Sequence, residues 1–393
     1  MTRVRRFLVD ERGVSLIMVT VAIIMIFGFA ALSIDVGTMA VVKTQLQDAA
    51  DAAALAAAQS YVQSGGDTAL AITRAIEFAG KNRAIINAGA GGFNKVDSVI
   101  IGPSDVTFPP ADFPQKGRVR VVTHRTDLTD DFFRTYFMRV IDTAMGHGNM
   151  TAHATAGFLW VCGTDCLRPW APPDRWFDAN GDSLYNPHPV TNPTEYYDPI
   201  TTGYTDADLG HQITLYLGKV GQHDFGISWY YPVDFPPINK CGSFPSPCPV
   251  TGGDAYREWI EGCRDKTVIV EPGDSLMIEP GAKTGPTSQG LAALIALDPN
   301  ARWNDTTMEV NGSAYDVSPR IIKTAVFDPS LGVQDDSNGK PYLTVVKIVV
   351  LFIDTSGPGG RVTGWFMRLN SANSVSCEDQ STPTFLYESV LLE

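Results

Sequence analysis

Residues Asp178 to Asn186 read DANGDSLYN, with oxygen donors on alternate residues. Asp178, Asn180 and Asp182 offer side-chain oxygens, and the Leu184 carbonyl and Asn186 take the next odd positions. A hard cation such as calcium needs several oxygens converging on one point, and a tight loop with alternating donors supplies that. Ser183 and Pro189 stand where a complete loop of this kind has glycine and a bidentate glutamate. The competing reading is an Asx turn, in which the same side chains bond their own backbone.

Two serines invite a second chemistry. GDSL occurs at Gly181 to Leu184 and again at Gly273 to Leu276, and Asp208-Leu209-Gly210-His211 offers a DxxH pair. A nucleophilic serine needs a base and an orienting carboxylate that meet in space. One serine closely precedes the pair and the other follows it, so two turn segments are the expected reading and an anchored GDSL-like hydrolase the minor alternative. Val349 to Gly359 leads a strand into Asp354-x-Ser356, but Pro358 replaces the last serine that an adhesion-type ion site requires. The six histidines lack the i, i+4 pairing of a zinc enzyme, and no GxxxxGK[ST] or GxGxxG phosphate loop is present.

Cys162, Cys166, Cys241, Cys248, Cys263 and Cys377 all lie in the later part of the chain. An even count in an exported chain implies disulfides, whose pairing the sequence leaves open. Cys162 and Cys166, with His153 nearby, are the alternative as metal ligands. The net charge of -13 disfavours nucleic-acid binding, which needs a basic surface to displace counterions.

What must position these groups begins with an uncharged segment, Val14 to Ile34. As a helix it would extend about 30 Å, the thickness of a bilayer core. Arg3, Arg5, Arg6 and Arg12 precede it, and Asp35 is the first charge after it. The positive-inside rule then puts the N-terminus in the cytoplasm and the body outside. A cleaved signal peptide is the rival, with Gly28-Phe29-Ala30 imitating a cleavage site, but the apolar run continues past it. From Val36 to Ser64 the composition favours an alanine-rich helix ended by Gly65-Gly66. Val42, Leu46, Ala49, Ala53, Ala56 and Ser60 trace a small-residue seam along it. Such a seam packs either on the protein's own body or on neighbouring subunits.

Glu11 to Ala58, with Arg12-Gly13, the apolar span, SIDVG at Ser33 to Gly37 and LQDAADAAALAAA from Leu46, strongly resembles the N-terminal domain of TadG-like proteins of the Flp (tight-adherence) pilus assembly system. The resemblance implies a single inner-membrane anchor, a periplasmic body and partners among pilus assembly proteins or subunits. Met18 occupies the place where prepilin-type cleavage needs a glutamate, so an uncut anchor is expected.

Past the rod, periodicity predicts a second helix over Asp67 to Asn82, strands at Val96 to Ile101 and Arg118 to His124, a helix over Phe132 to Ala144 and a strand at Thr151 to Val161. Further strands are expected at Gln212 to Leu217, Asp224 to Tyr231, Arg320 to Phe327, Thr344 to Asp354 and Val362 to Leu369, with short helices at Ala255 to Glu261 and Leu291 to Leu297. The expected fold is α+β: a basic N-terminus (1–13), a transmembrane helix (14–34), a rod with a small α+β unit (35–161) and a mainly β, disulfide-stapled module (162–393). The function expected is a non-enzymatic, membrane-anchored component of a pilus assembly or adhesion apparatus. The alternative is an anchored adhesin or binding module that presents its acidic, aromatic loops.

Overall fold

The computed structural model describes residues 11–87, 94–110, 117–126, 132–179, 181–185, 195–218, 225–240, 252–264, 266–371, 374–378 and 384–392. The chain divides into two compact units. The first comprises residues 1–60, 67–157 and 391–393; the second comprises 61–66 and 158–390.

The first unit is organised by one uninterrupted helix, α1 (Glu11–Gln63), of 53 residues. Apolar span and alanine rod are therefore a single element, about 80 Å long at 1.5 Å per residue. It continues through Asp35 because no proline intervenes and alanine-rich sequence propagates a helix well. Gly65 and Gly66, both at positive φ, end it, and the Gly66 amide donates to the Tyr61 carbonyl at 2.8 Å. After the turn, Asp67 caps α2 (Thr68–Lys81) by accepting from the Ala69 and Leu70 amides. A hairpin of β1 (Arg83–Asn87) and β2 (Asn94–Ser98) follows, with Ile85 opposite Val96.

The sheet of this unit pairs β3 (Val119–Arg125) antiparallel with the first half of β4 (Met150–Asp165). Val119, Val121 and Thr123 of β3 face inward on alternate residues, opposite Ala156, Ala154 and Ala152. These side chains and α1 share one buried core. The segment expected to be helical from Phe132 to Ala144 is instead broken into a short strand (Phe133–Arg134), one turn of helix α3 (Met138–Ile141) and a 3-10 turn (Thr143–Gly146).

The second unit is mainly β. Its sheet runs, in spatial order, from Leu167–Arg168 through β7 (Ile321–Phe327), β8 (Pro341–Gly357), β9 (Arg361–Phe366), β5 (Gln212–Leu217) and β6 (Trp229–Pro232) to Trp170–Ala171. Only Pro169 separates the first and last segments in the chain, so the sheet wraps round on itself, which leaves few free edges. Helices α4 (Gly253–Glu261) and α5 (Thr284–Leu297) pack on it. Large aromatic side chains fill this core: Trp170, Tyr230, Tyr231 and Phe327 are fully buried. Two disulfides, Cys162–Cys377 and Cys166–Cys263, link segments separated by 215 and 97 residues. Cys241 and Cys248 lie outside the described residues.

Candidate functional site

The end of the apolar span holds the most distinctive polar arrangement of the first unit. Asp35 is the first charge after that span, yet it is 1% exposed. Its Oδ1 accepts the Tyr136 amide at 2.8 Å, and its Oδ2 accepts those of Phe137 at 2.8 Å and Met138 at 2.6 Å. Three backbone donors on one carboxylate make a charge-assisted clamp, which resolves the cost of burying this acid. The clamp ties the helix to a segment about a hundred residues later and fixes where α3 begins.

Farther along α1, the small-residue stripe lies against the sheet of its own unit. Val42, Leu46, Ala49, Ala50, Ala53, Ala54, Ala57 and Ala58 are fully buried. Ser60 is 8% exposed, and Ala56 is half-buried because the 3.6-residue repeat carries the stripe onto Ala57 and Ala58. Alanine on both surfaces lets helix and sheet backbones approach closely. That approach permits polar locks: Thr123 Oγ1 donates to the Leu46 carbonyl at 2.8 Å, and Gln47 Nε2 to the His153 carbonyl at 3.0 Å.

In the second unit, Asp178 and Asp182 lie together with Glu195; one carboxylate oxygen of each lies within 4.8 Å of the others. The loop also uses these groups itself. Asp178 accepts from the Gly181 and Ser183 amides at 2.8 Å, and Asp182 from the Leu184 amide at 2.8 Å. Leu184 forms a β-bridge with Gly226. Asn180 and Asn186, the other two expected ligands, lie outside the described residues. Glu195 escaped sequence reasoning because it stands beyond the spacing of any compact loop motif.

Comparison with known families matches residues 13–60 to the family described as "Putative Flp pilus-assembly TadE/G-like". Residues 13–60 are similar to a TadE/G-like domain. The match takes in the apolar span, Asp35 and the buried alanine stripe, the same residues that build the clamp and the helix–sheet core. No curated protein and no solved structure matches the chain.

The remaining groups that invite chemistry lie outside residues 13–60. Ser183 sits at positive φ within the acidic loop, and Ser275 begins a strand paired with β8. Asp208, the acid of the DxxH pair, accepts from Arg175 Nη1 at 2.7 Å and from the Thr205 amide at 2.8 Å. It is thereby committed to a local ion pair and a turn cap. Cys162 and Cys166 are each bonded to a different distant cysteine, which removes them as metal ligands. Trp170 and Trp176 are buried in the aromatic core, whereas Trp160 and Trp229 are half-buried.

One buried acid pair does stand out. Asp234 and Glu279 occupy adjacent segments joined by the Val233–Ile278 bridge, and Lys283 Nζ lies 2.8 Å from Glu279 Oε1. Glu279 Oε1 also accepts the Gly252 amide at 2.9 Å. Asp234 Oδ2 and Glu279 Oε2 are buried with no conventional donor against them. A proton on Asp234, bonded to Glu279, supplies that donor. Desolvation and then the neighbouring Glu279 push the Asp234 carboxyl up to about 9. Glu279 moves the other way, because hydrogen bonds from Asp234, Lys283 and Gly252 outweigh its burial. The group is internal to the second unit and braces the strand ends against α4 and α5.

Proposed function

We propose that this chain is a non-enzymatic, single-pass component of a Flp/Tad-type pilus assembly or adhesion apparatus. Its N-terminus is cytoplasmic, its body lies in the periplasm or at the cell surface, and it works by contacts with pilus assembly proteins or pilus subunits. The observation that carries this reading is the coincidence of three features in residues 13–60. They are the TadE/G-like match, a helix whose apolar window has mean hydropathy 2.6 and is 0% buried, and the continuation of that helix into a folded body. An exposed apolar helix of full spanning length is what a bilayer accommodates.

The test is cross-linking and recovery of the full chain from its native membrane. Pilus assembly proteins should be enriched over a control carrying the same span on an unrelated body, and deletion of the chain should reduce piliation. Equal recovery from both baits, with unchanged piliation, would overturn the proposal.

Calcium at Asp178, Asp182 and Glu195 is a subsidiary proposal, supported by the convergence of three carboxylates. A melting temperature that rises in millimolar calcium relative to EDTA, and loses this response in Asp178→Ala with Asp182→Ala, is the expected result. Superimposable curves would leave the stretch as a turn.

A further inference from the structure

The clamp at Asp35 does more than close a helix–loop contact. It brings an exposed apolar segment beside the membrane-spanning part of α1. Phe137, Val140 and Met145 are 40%, 82% and 51% exposed within nine residues of chain. Phe137, Met138 and Val140 line a shallow groove of about 160 Å³ whose other wall is Gly28, Ala31 and Leu32 of the apolar span. Leu32 lies three residues before Asp35 and Gly28 seven, about 4.5 and 10.5 Å along the helix axis. Amphipathic segments at a bilayer surface bury their apolar side chains by about 5–10 Å. The two depths coincide.

We infer that residues 136–145 form a second membrane contact, inserted among the lipids around α1 at the interface on the body's side. This rests on the reading of α1 as a membrane anchor. The occupant of the groove is lipid because the apolar patch is continuous with the lipid-facing side of the span. A wholly aqueous setting would leave an 82%-exposed valine beside the bilayer at the cost of its own hydrophobic transfer energy. The charges fit as well. Arg139 and Asp142 are exposed, and an arginine stem covers apolar surface while its head reaches the phosphates. Tyr136 and Phe137 supply the aromatic character common at this depth. Two points of contact fix the tilt and rotation of the first unit against the membrane, which a single helix leaves free.

The experiment places an environment-sensitive fluorophore at one introduced cysteine in the full chain. The positions are Val140→Cys, Ile24→Cys inside the span and Leu70→Cys, an exposed apolar residue beyond the far end of α1. Labelling is done without reductant, and the unsubstituted chain sets the background. The chains are placed in nanodiscs of phosphatidylethanolamine and phosphatidylglycerol, doped with a lipid spin-labelled near the top of its acyl chain. Quenching of Ile24 and Val140 by about twofold or more, with Leu70 unaffected, supports the inference. Quenching of Ile24 alone overturns it and leaves the anchor standing. A Val140 label shielded from aqueous iodide yet unquenched by the spin label means that a second copy covers the patch, and the lipid assignment falls. An unquenched Ile24 overturns the anchor reading and this inference together.

Discussion

The two units build their cores in opposite ways. In the first, alanines from α1, α2 and β4 bring backbones together, with few large side chains between them. In the second, a wrapped sheet encloses Trp170, Tyr230, Tyr231 and Phe327, and two disulfides tie distant segments to it. A small-residue core gains little apolar area per residue and depends on close contact and on polar locks such as Asp35 and Thr123. An aromatic core gains more area per side chain and tolerates imperfect contact better. The first unit should therefore be sensitive to added volume and to broken hydrogen bonds, and the second to loss of its cross-links.

The largest expected effect is on the second unit. Cys162→Ala with Cys377→Ala opens a loop of 215 residues, and removal of a native disulfide commonly costs about 2–5 kcal/mol. Hydrogen exchange resolved by unit should show protection lost in residues 158–390 and retained in the α1 core; equal losses would contradict the division. Next comes Asp35→Ala. It leaves three amides without their carboxylate and should cost about 2–3 kcal/mol, the upper range for bonds to a charged group. The loss should be read as faster exchange at Tyr136 to Met138, and Asp35→Asn should restore part of it.

Ala53→Leu tests close packing in the first unit. Overpacking should cost about 1–3 kcal/mol. The same change at half-buried Ala56 should cost less, and equal costs would dissolve the distinction between the two faces. A separate effect, read against pH rather than at one pH, concerns the second unit. Asp234 has a raised carboxyl pKa, so the stability its neutral form supplies is full below about 4 and is lost as pH rises toward about 9. Asp234→Asn keeps a neutral side chain at every pH and should flatten the fall in melting temperature over that window. A fall as steep as that of the unsubstituted chain would show that Asp234 does not hold its proton.

Legibility in the sequence follows the range of the forces involved. The apolar span, the alanine rod and the alternating strand β3 are written in local periodicity and propensity, and they read off directly. β1 was hidden because only Asn82, the cap that ends α2, separates Arg83–Asn87 from the helix. The missing helix over Phe132 to Ala144 has a tertiary cause. Asp35 takes the amides of residues 136–138, and Asp142 turns back on Ala144, so a continuous helix cannot form there. The site was legible in part for the same reason. SIDVG marks Asp35, but its partners stand 101 to 103 residues away. Asp178 and Asp182 were visible in their loop, whereas Glu195 joins them only through the fold. The cysteine count announced disulfides, and only the sheet decided which sulfurs meet.

The unbroken course of α1 has a mechanical consequence. A hinge between span and rod would absorb any change in the angle of the apolar end. Here the helix from Val36 to Gln63 continues without interruption and extends about 40 Å beyond Asp35. A rotation of 10° at the apolar end therefore sweeps the far end through about 7 Å, a lever ratio set by helix length alone. Any rotation at the apolar end thus becomes displacement at the other, with Asp35 placed where the fulcrum would be.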